Sequence, residues 1–175
     1  MKLVIPITPT AQMRDRIGTI TFADGTTQAR SYKDNKQRKR ENVLAAFLSR
    51  RQPAQPMSGP VLLGVKVYIA PPKSKPTWFD GTAAEWRRYA THGLIRPPVK
   101  PDLDNYVKQI KDCLTECEFW GDDKQVVGYM PGIGKYYTAD RPRWEIEIVP
   151  YDWRKGVPAY GAAARPEPLS LLRGA

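Results

Sequence analysis

Between residues 103 and 117 the chain carries apolar side chains at strict helical spacing. Leu103, Tyr106, Val107, Ile110, Cys113, Leu114 and Cys117 fall at i, i+3, i+4, i+7, i+10, i+11 and i+14. Such a stripe has to be buried against a second layer. Two segments can supply one. Val61, Leu63, Val65, Val67 and Ile69 alternate along residues 61–70, and Trp144, Ile146 and Ile148 alternate with Arg143, Glu145 and Glu147 along 143–149. A helix with one apolar stripe between strands with one apolar face predicts an α/β (α+β) domain, a mixed β-sheet packed with helices.

The remaining elements fit that plan. Residues 2–8 read as a short strand. Residues 18–23 and 26–32 flank Asp24-Gly25, a hairpin turn signal. Residues 33–51 are helical, with Val43, Leu44, Phe47 and Leu48 on one stripe, and 53–60 is a Pro-rich break. A long basic excursion over 71–100 contains a short helix around 82–91. Lys108, Gln109, Lys111 and Asp112 are expected on the outer side of the 103–117 helix. A turn at Trp120-Gly121 leads to a strand near 125–130. The domain therefore spans 1–150, and 151–175, rich in Pro, Gly, Ala and Arg, reads as a tail that is mobile or packs on a partner chain.

With 41% hydrophobic residues among 175, the chain can bury a core, which excludes full disorder. No apolar run approaches the roughly 18–20 residues that cross a bilayer, and the start, broken by Pro6 and Pro9, is too short for a secretory signal. A cytoplasmic domain with no membrane partner is expected. Cys113 and Cys117 are the only thiols and His92 the only imidazole, too few for a closed zinc site. A Cys–His nucleophile pair is the weaker reading, and two small buried residues on a helix the stronger. Acid–base or metal chemistry must therefore rest on Asp, Glu and Lys.

The net charge is +10, but its distribution says more. Residues 33–51 hold seven cations against two acids, whereas 102–123 hold seven acids against two lysines. A basic chain that concentrates carboxylates needs a reason. The ordinary one is local: Asp102 or Asp104 caps the helix, and Asp104 pairs with Lys108 at i,i+4. The functional one is a hard divalent cation held by oxygen ligands. Asp102-Leu-Asp104 sets two carboxylates two residues apart where extended chain enters a helix, Lys108 lies one turn on, and Asp122-Asp123 return after the turn. Spacing alone leaves both readings open, since Asp-x-Asp is a weak signal.

The run Lys100-Pro-Asp102-Leu-Asp104-Asn105-Tyr-Val-Lys108, then Asp112-Cys-Leu114, then Phe119-Trp120-Gly-Asp122-Asp123, closely resembles the signature of the RusA family of Holliday junction resolvases. Lys135-Tyr-Tyr137 and Arg141-Pro-Arg143 look like the family's C-terminal section. The resemblance covers about 60–149 and is weak before it. It implies a homodimeric, Mg²⁺-dependent endodeoxyribonuclease (Mn²⁺ substituting), of bacterial or phage type, that resolves four-way DNA junctions in recombination and repair without an organic cofactor. By resemblance, Asp102, Asp104 and Asp123 match the metal-binding carboxylates and Lys108 the essential lysine. Asp122 and Asn105 are candidates for supporting roles beside them.

Candidate DNA contacts are the basic residues Lys36, Arg38, Lys39 and Arg40, and, in the excursion, Lys73, Lys75, Arg87, Arg88, Arg96 and Lys100. Trp78, Phe79, Trp86 and Tyr89 interleave the second group and either wedge into a junction or pack under the loop. The competing function is a non-catalytic module that binds junctions or other nucleic acid through the same basic surface. A structural RNA-binding protein is disfavoured, because no RRM or KH motif is present.

Overall fold

The computed structural model describes residues 1–13, 15–152 and 154. The chain runs β1 (Lys2–Ile5), β2 (Arg16–Thr21), β3 (Thr27–Tyr32), α1 (Asn35–Ser49), β4 (Val61–Ile69), α2 (Ala83–Thr91) and α3 (Leu103–Glu116). A short 3₁₀ turn at Asp123–Gln125 follows, then β5 (Val126–Tyr129), β6 (Gly134–Tyr137) and β7 (Arg143–Pro150). The expected tail beyond 154 lies outside the described residues.

The sheet is mixed, as expected. β4 is its axis: β7 pairs antiparallel along one edge and is followed by β1. The other edge of β4 is shared, β5 lying parallel to its first residues and β6 parallel to its last four. β6 was not expected, since Gly-Lys-Tyr-Tyr is too short and unpatterned to read as a strand without its partner. β2 and β3 pair only with each other, outside this sheet.

One side of the sheet carries the helices. Val61, Leu63, Val65 and Val67 of β4 and Trp144, Ile146 and Ile148 of β7 meet Tyr106, Ile110, Cys113 and Leu114 of α3 and Leu44 and Leu48 of α1. The alternation that marks these strands is thus the alternation between this core and the opposite face. Two details differ from expectation. Val43 of α1 is exposed, and Gln109 of α3 is buried. The Gln109 amide donates to the Cys113 sulfur at 3.3 Å, so the core tolerates a polar group that has a partner.

Trp86 and Ala90 of α2 form a second, smaller core with Tyr137, against which Phe79 and Ile95 pack. Trp86 lies 5.4 Å from Phe79 and 5.5 Å from Trp78, both edge-on. Packing under the loop therefore accounts for Trp86 and Phe79, while Trp78 stays half-exposed. Among the described residues, no helix is long and apolar enough to cross a membrane.

Candidate active site

The acidic segment is built around α3. Its inner stripe is fixed by the core, which leaves Asp104 and Lys108 on the exposed side and Lys111 and Asp112 beside them, half-buried. Asp102 occupies the N-cap position with extended backbone, yet its side chain makes no capping hydrogen bond. Among the described residues neither Asp102 nor Asp104 has an ion-pair or hydrogen-bond partner for its carboxylate. The ordinary explanation for these acids therefore fails on both counts. Lys108 pairs with Asp112 at 3.6 Å instead of Asp104, through a well-exposed side chain. Such a surface pair is worth at most about 1 kcal/mol, so Lys108 is free to turn to another anion.

Beyond α3 the chain reverses sharply. Glu118 adopts a left-handed φ of 57°, and the amide of Phe119 donates to Leu114 O at 3.0 Å. Phe119 and Trp120 are buried, with the Trp120 indole donating to Thr115 Oγ1 at 2.7 Å. Gln125 then ties the acidic turn down. Its carbonyl oxygen accepts from the amides of Gly121 and Asp122, and its amide donates to Met57 O and Gly59 O.

This reversal returns Asp122 and Asp123 to α3 with different surroundings. Asp122 accepts from the Lys124 amide at 2.8 Å and pairs with the Lys124 ammonium at 3.2 Å. Those two bonds hold its carboxyl below the usual carboxylate range and make it a turn residue. Asp123 pairs with Lys111 at 3.1 Å, where the lysine is mostly buried. Sequence alone puts Lys111 on the outer helix surface with no role. Twelve positions and a turn separate it from Asp123, so no spacing rule signals the pair.

The oxygen-only donor set and the two unengaged carboxylates at i and i+2 fit a hard cation such as Mg²⁺, which commonly takes one or two carboxylates plus water and phosphate oxygens. The expected three-carboxylate cage is not assembled. Among the described residues no three Asp, Glu, His or Cys side chains form a group able to hold a metal. The physical reason is separation along the helix: position 104 lies about 10 Å along its axis from position 111, and Lys111 holds Asp123 at that level. Asp123 instead lines an open hollow with Asp112, Thr115, Glu116 and Asp122.

Asn105 and Lys108 line a neighbouring hollow with Gln12, Met13 and Asp15. The Gln12 amide donates to Asn105 O at 3.1 Å, which fastens the chain before β2 to the start of α3. On the other side, the Lys135 ammonium of β6 donates to Val99 O and, at 3.0 Å, to Pro101 O. The approach to Asp102, which includes a cis Lys100–Pro101 bond, is thereby fixed to the sheet.

The ten candidate DNA contacts are all exposed. Arg96 lies over the Tyr136 ring at 3.6 Å, and Lys75 donates to Phe79 O at 2.8 Å, so both also have local contacts. The two cysteines are buried, and burial pushes the Cys113 thiol up to about 12, which removes it as a nucleophile. His92 caps α2, its Nδ1 2.6 Å from Arg88 O.

The chain is thus a small α+β domain with exposed basic residues and two carboxylates, at a helix start, that no described side chain pairs. The profile of the family described as endodeoxyribonuclease RusA matches residues 6–149, and the chain belongs to that family of enzymes acting on DNA junctions. The match begins well before residue 60, so it takes in the hairpin and α1 that the motif resemblance left weak. A stretch of 108 residues is also 37% identical to YqaN, an uncharacterized protein of Bacillus subtilis (strain 168), covering 62% of this chain and 70% of the relative.

The Lys135 brace gives a prediction for this enzyme. Lys135→Met is expected to lower DNA cleavage at saturating substrate between about ten- and a hundredfold, as small misplacements of a site do. KM should move little, and Lys135→Arg should restore much of the rate. Single-turnover kinetics on a labelled substrate reads this, and a wild-type rate in Lys135→Met contradicts it.

Proposed function

We propose that this endonuclease resolves four-way DNA junctions by paired symmetric nicks as a homodimer, in a Mg²⁺-dependent reaction centred on Asp102 and Asp104. The single observation that carries the reading is the pair of carboxylates at the start of α3 that no group among the described residues neutralises, beside a lysine held by a weak exposed pair. Asp102 and Asp104 would hold the cation, with Asp123 joining once Lys111 releases it. When bound, the cation supplies Lewis-acid polarisation of the scissile phosphate and a water acidic enough to attack at neutral pH.

The chain's own groups do the rest. Lys108 leaves Asp112 and places its fixed positive charge on the phosphate oxygens, where negative charge grows in the transition state. Lys111 balances Asp123, which limits repulsion of the incoming polyanion by the acidic turn. Lys135 holds the approach to Asp102 to β6, and Gln125 holds the acidic turn to the segment just before β4. A two-fold dimer carries two such centres, matching the symmetry of a four-way junction, and doubles the +10 charge that grips the phosphate backbones. The reaction belongs in the cytoplasm of a bacterium or of a phage-infected host.

The test is a labelled synthetic junction against a linear duplex of the same sequence, each incubated with Mg²⁺ and with EDTA, with nicks mapped on all four strands. Symmetric nicks on opposed strands of the junction, with Mg²⁺ only, are expected. Binding without scission would favour the non-catalytic module, which the same basic surface also permits.

A further inference from the structure

Nothing in the mechanism uses the β2–β3 hairpin. Among the described residues it is a two-stranded ribbon that joins no other strand, and all its residues are exposed except half-buried Gly18. An isolated two-stranded hairpin is only marginally stable in water, so a ribbon held out in this way normally has a partner outside its own core. Its alternation sorts the two faces. Gly18, Ile20, Gln28, Arg30 and Tyr32 share one face, and Ile17, Thr19, Ala29 and Ser31 share the other.

The first face borders an open hollow of about 510 Å³ between the ribbon and the start of α1. Arg30 and Arg38 both line it, and among the described residues neither guanidinium has an ion-pair partner. The Tyr32 ring lies across Gly18, so close that a Cβ at residue 18 would sit 2.9 Å from it, and the ring remains half-exposed. Glycine at 18 thus leaves room for an aromatic ring on the wall of a hollow that two guanidiniums also line. Among the described residues Asp15 is the one carboxylate that lines the hollow, and it already accepts from Ser31 Oγ at 3.2 Å. Lys33, also on the rim, is engaged by Glu41 at 3.1 Å.

The position of the ribbon points the same way. Asp15 also lines the hollow that contains Asn105 and Lys108. One residue thus joins the two hollows, and a strand whose phosphate lies at Lys108 would run along the ribbon toward Arg30 and Arg38. We infer that the β2–β3 hairpin and the start of α1 form a clasp for the DNA backbone next to the cleavage point, with Arg30 and Arg38 on phosphates and Tyr32 against a sugar or base. Free guanidiniums suit phosphate, and an aromatic face suits stacking without sequence preference. The inference rests on the junction-binding part of the function proposed above. The occupant is DNA. A second copy of the chain seated through exposed Ile17 and Ile20 is the alternative that the test must separate.

The experiment is binding of a fluorescent four-way junction in EDTA, followed by anisotropy across a salt series, with sizing of the free proteins by light scattering. Arg30→Gln with Arg38→Gln is expected to weaken binding and to lower the slope of log affinity against log salt by about two, one for each phosphate that loses its cation. Arg30→Gln alone should lower it by about one, with the same particle mass as wild type. A double variant with the wild-type slope overturns the clasp, and so does a change of particle mass with the slope intact, which would give the face to a second copy. A wild type that grips the junction yet never cuts it with Mg²⁺ overturns the nuclease reading, while a reduced slope in the variant still supports the clasp.

Discussion

Asp102→Asn is expected to reduce junction cleavage by about 10³-fold or more while leaving binding intact. The substitution keeps size and shape but removes one of two carboxylates that no group among the described residues neutralises. Metal-assisted charge stabilisation is worth several kcal/mol, and each 1.36 kcal/mol of barrier is about a factor of ten in rate. The change should not disturb folding, because Asp102 is exposed and caps nothing, and surface changes of this kind stay within about 0.5 kcal/mol. Affinity for the junction should hold or rise slightly, since a negative charge beside a polyanion is removed. Single-turnover cleavage and anisotropy on one protein preparation separate the two effects. Cleavage within about tenfold of wild type would contradict the assignment, and parallel loss of binding would make Asp102 a structural residue.

The largest effect on stability is expected at Trp144. This side chain is 1% exposed and lies opposite Ile5 of β1 on one side and Val67 of β4 on the other. Its ring meets Tyr106 of α3 edge-to-face, with centroids 5.6 Å apart. It therefore joins three strands to the helix that carries Asp104 and Lys108. Trp144→Ala should cost about 3–5 kcal/mol, the range for removing a large aromatic from a core. Against a typical total of about 5–15 kcal/mol that is a large share, and unfolding near growth temperature follows. Trp144→Phe keeps a ring against Tyr106 and should lose less. Urea titration of both variants checks the ordering, and a loss under about 1 kcal/mol for Trp144→Ala would contradict it.

Much of this was legible in the sequence where one residue pattern answers to one physical demand. The helix expected over 103–117 spans Leu103–Glu116, because a stripe that long has only one way to be buried. The alternating segments 61–70 and 143–149 are the two central strands for the same reason. The Asp24-Gly25 turn closes a hairpin, with Gly25 at a φ of 82° that few other residues tolerate. What stayed hidden depends on partners far away in the chain. β6 exists only because β4 offers an edge for it. Gln109 is buried because a thiol one turn on accepts its amide proton. Lys111 and Asp123 find each other through a reversal set by buried Phe119 and Trp120, which no spacing of charges encodes. Of the candidate site, Asp102, Asp104 and Lys108 stand together by local geometry alone. Asp123 depends on that tertiary reversal, and there the expected three-carboxylate cage gives way to an ion pair.

In the proposed mechanism the start of α3 holds a divalent cation through Asp102 and Asp104. Titrating Mn²⁺ into wild type and into the Asp102→Asn, Asp104→Asn double variant, and reading free Mn²⁺ by electron paramagnetic resonance, tests this without any DNA. Wild type should deplete the free signal, and the double variant should leave it near the protein-free control. Equal depletion by the two proteins, or none by wild type, would contradict the account.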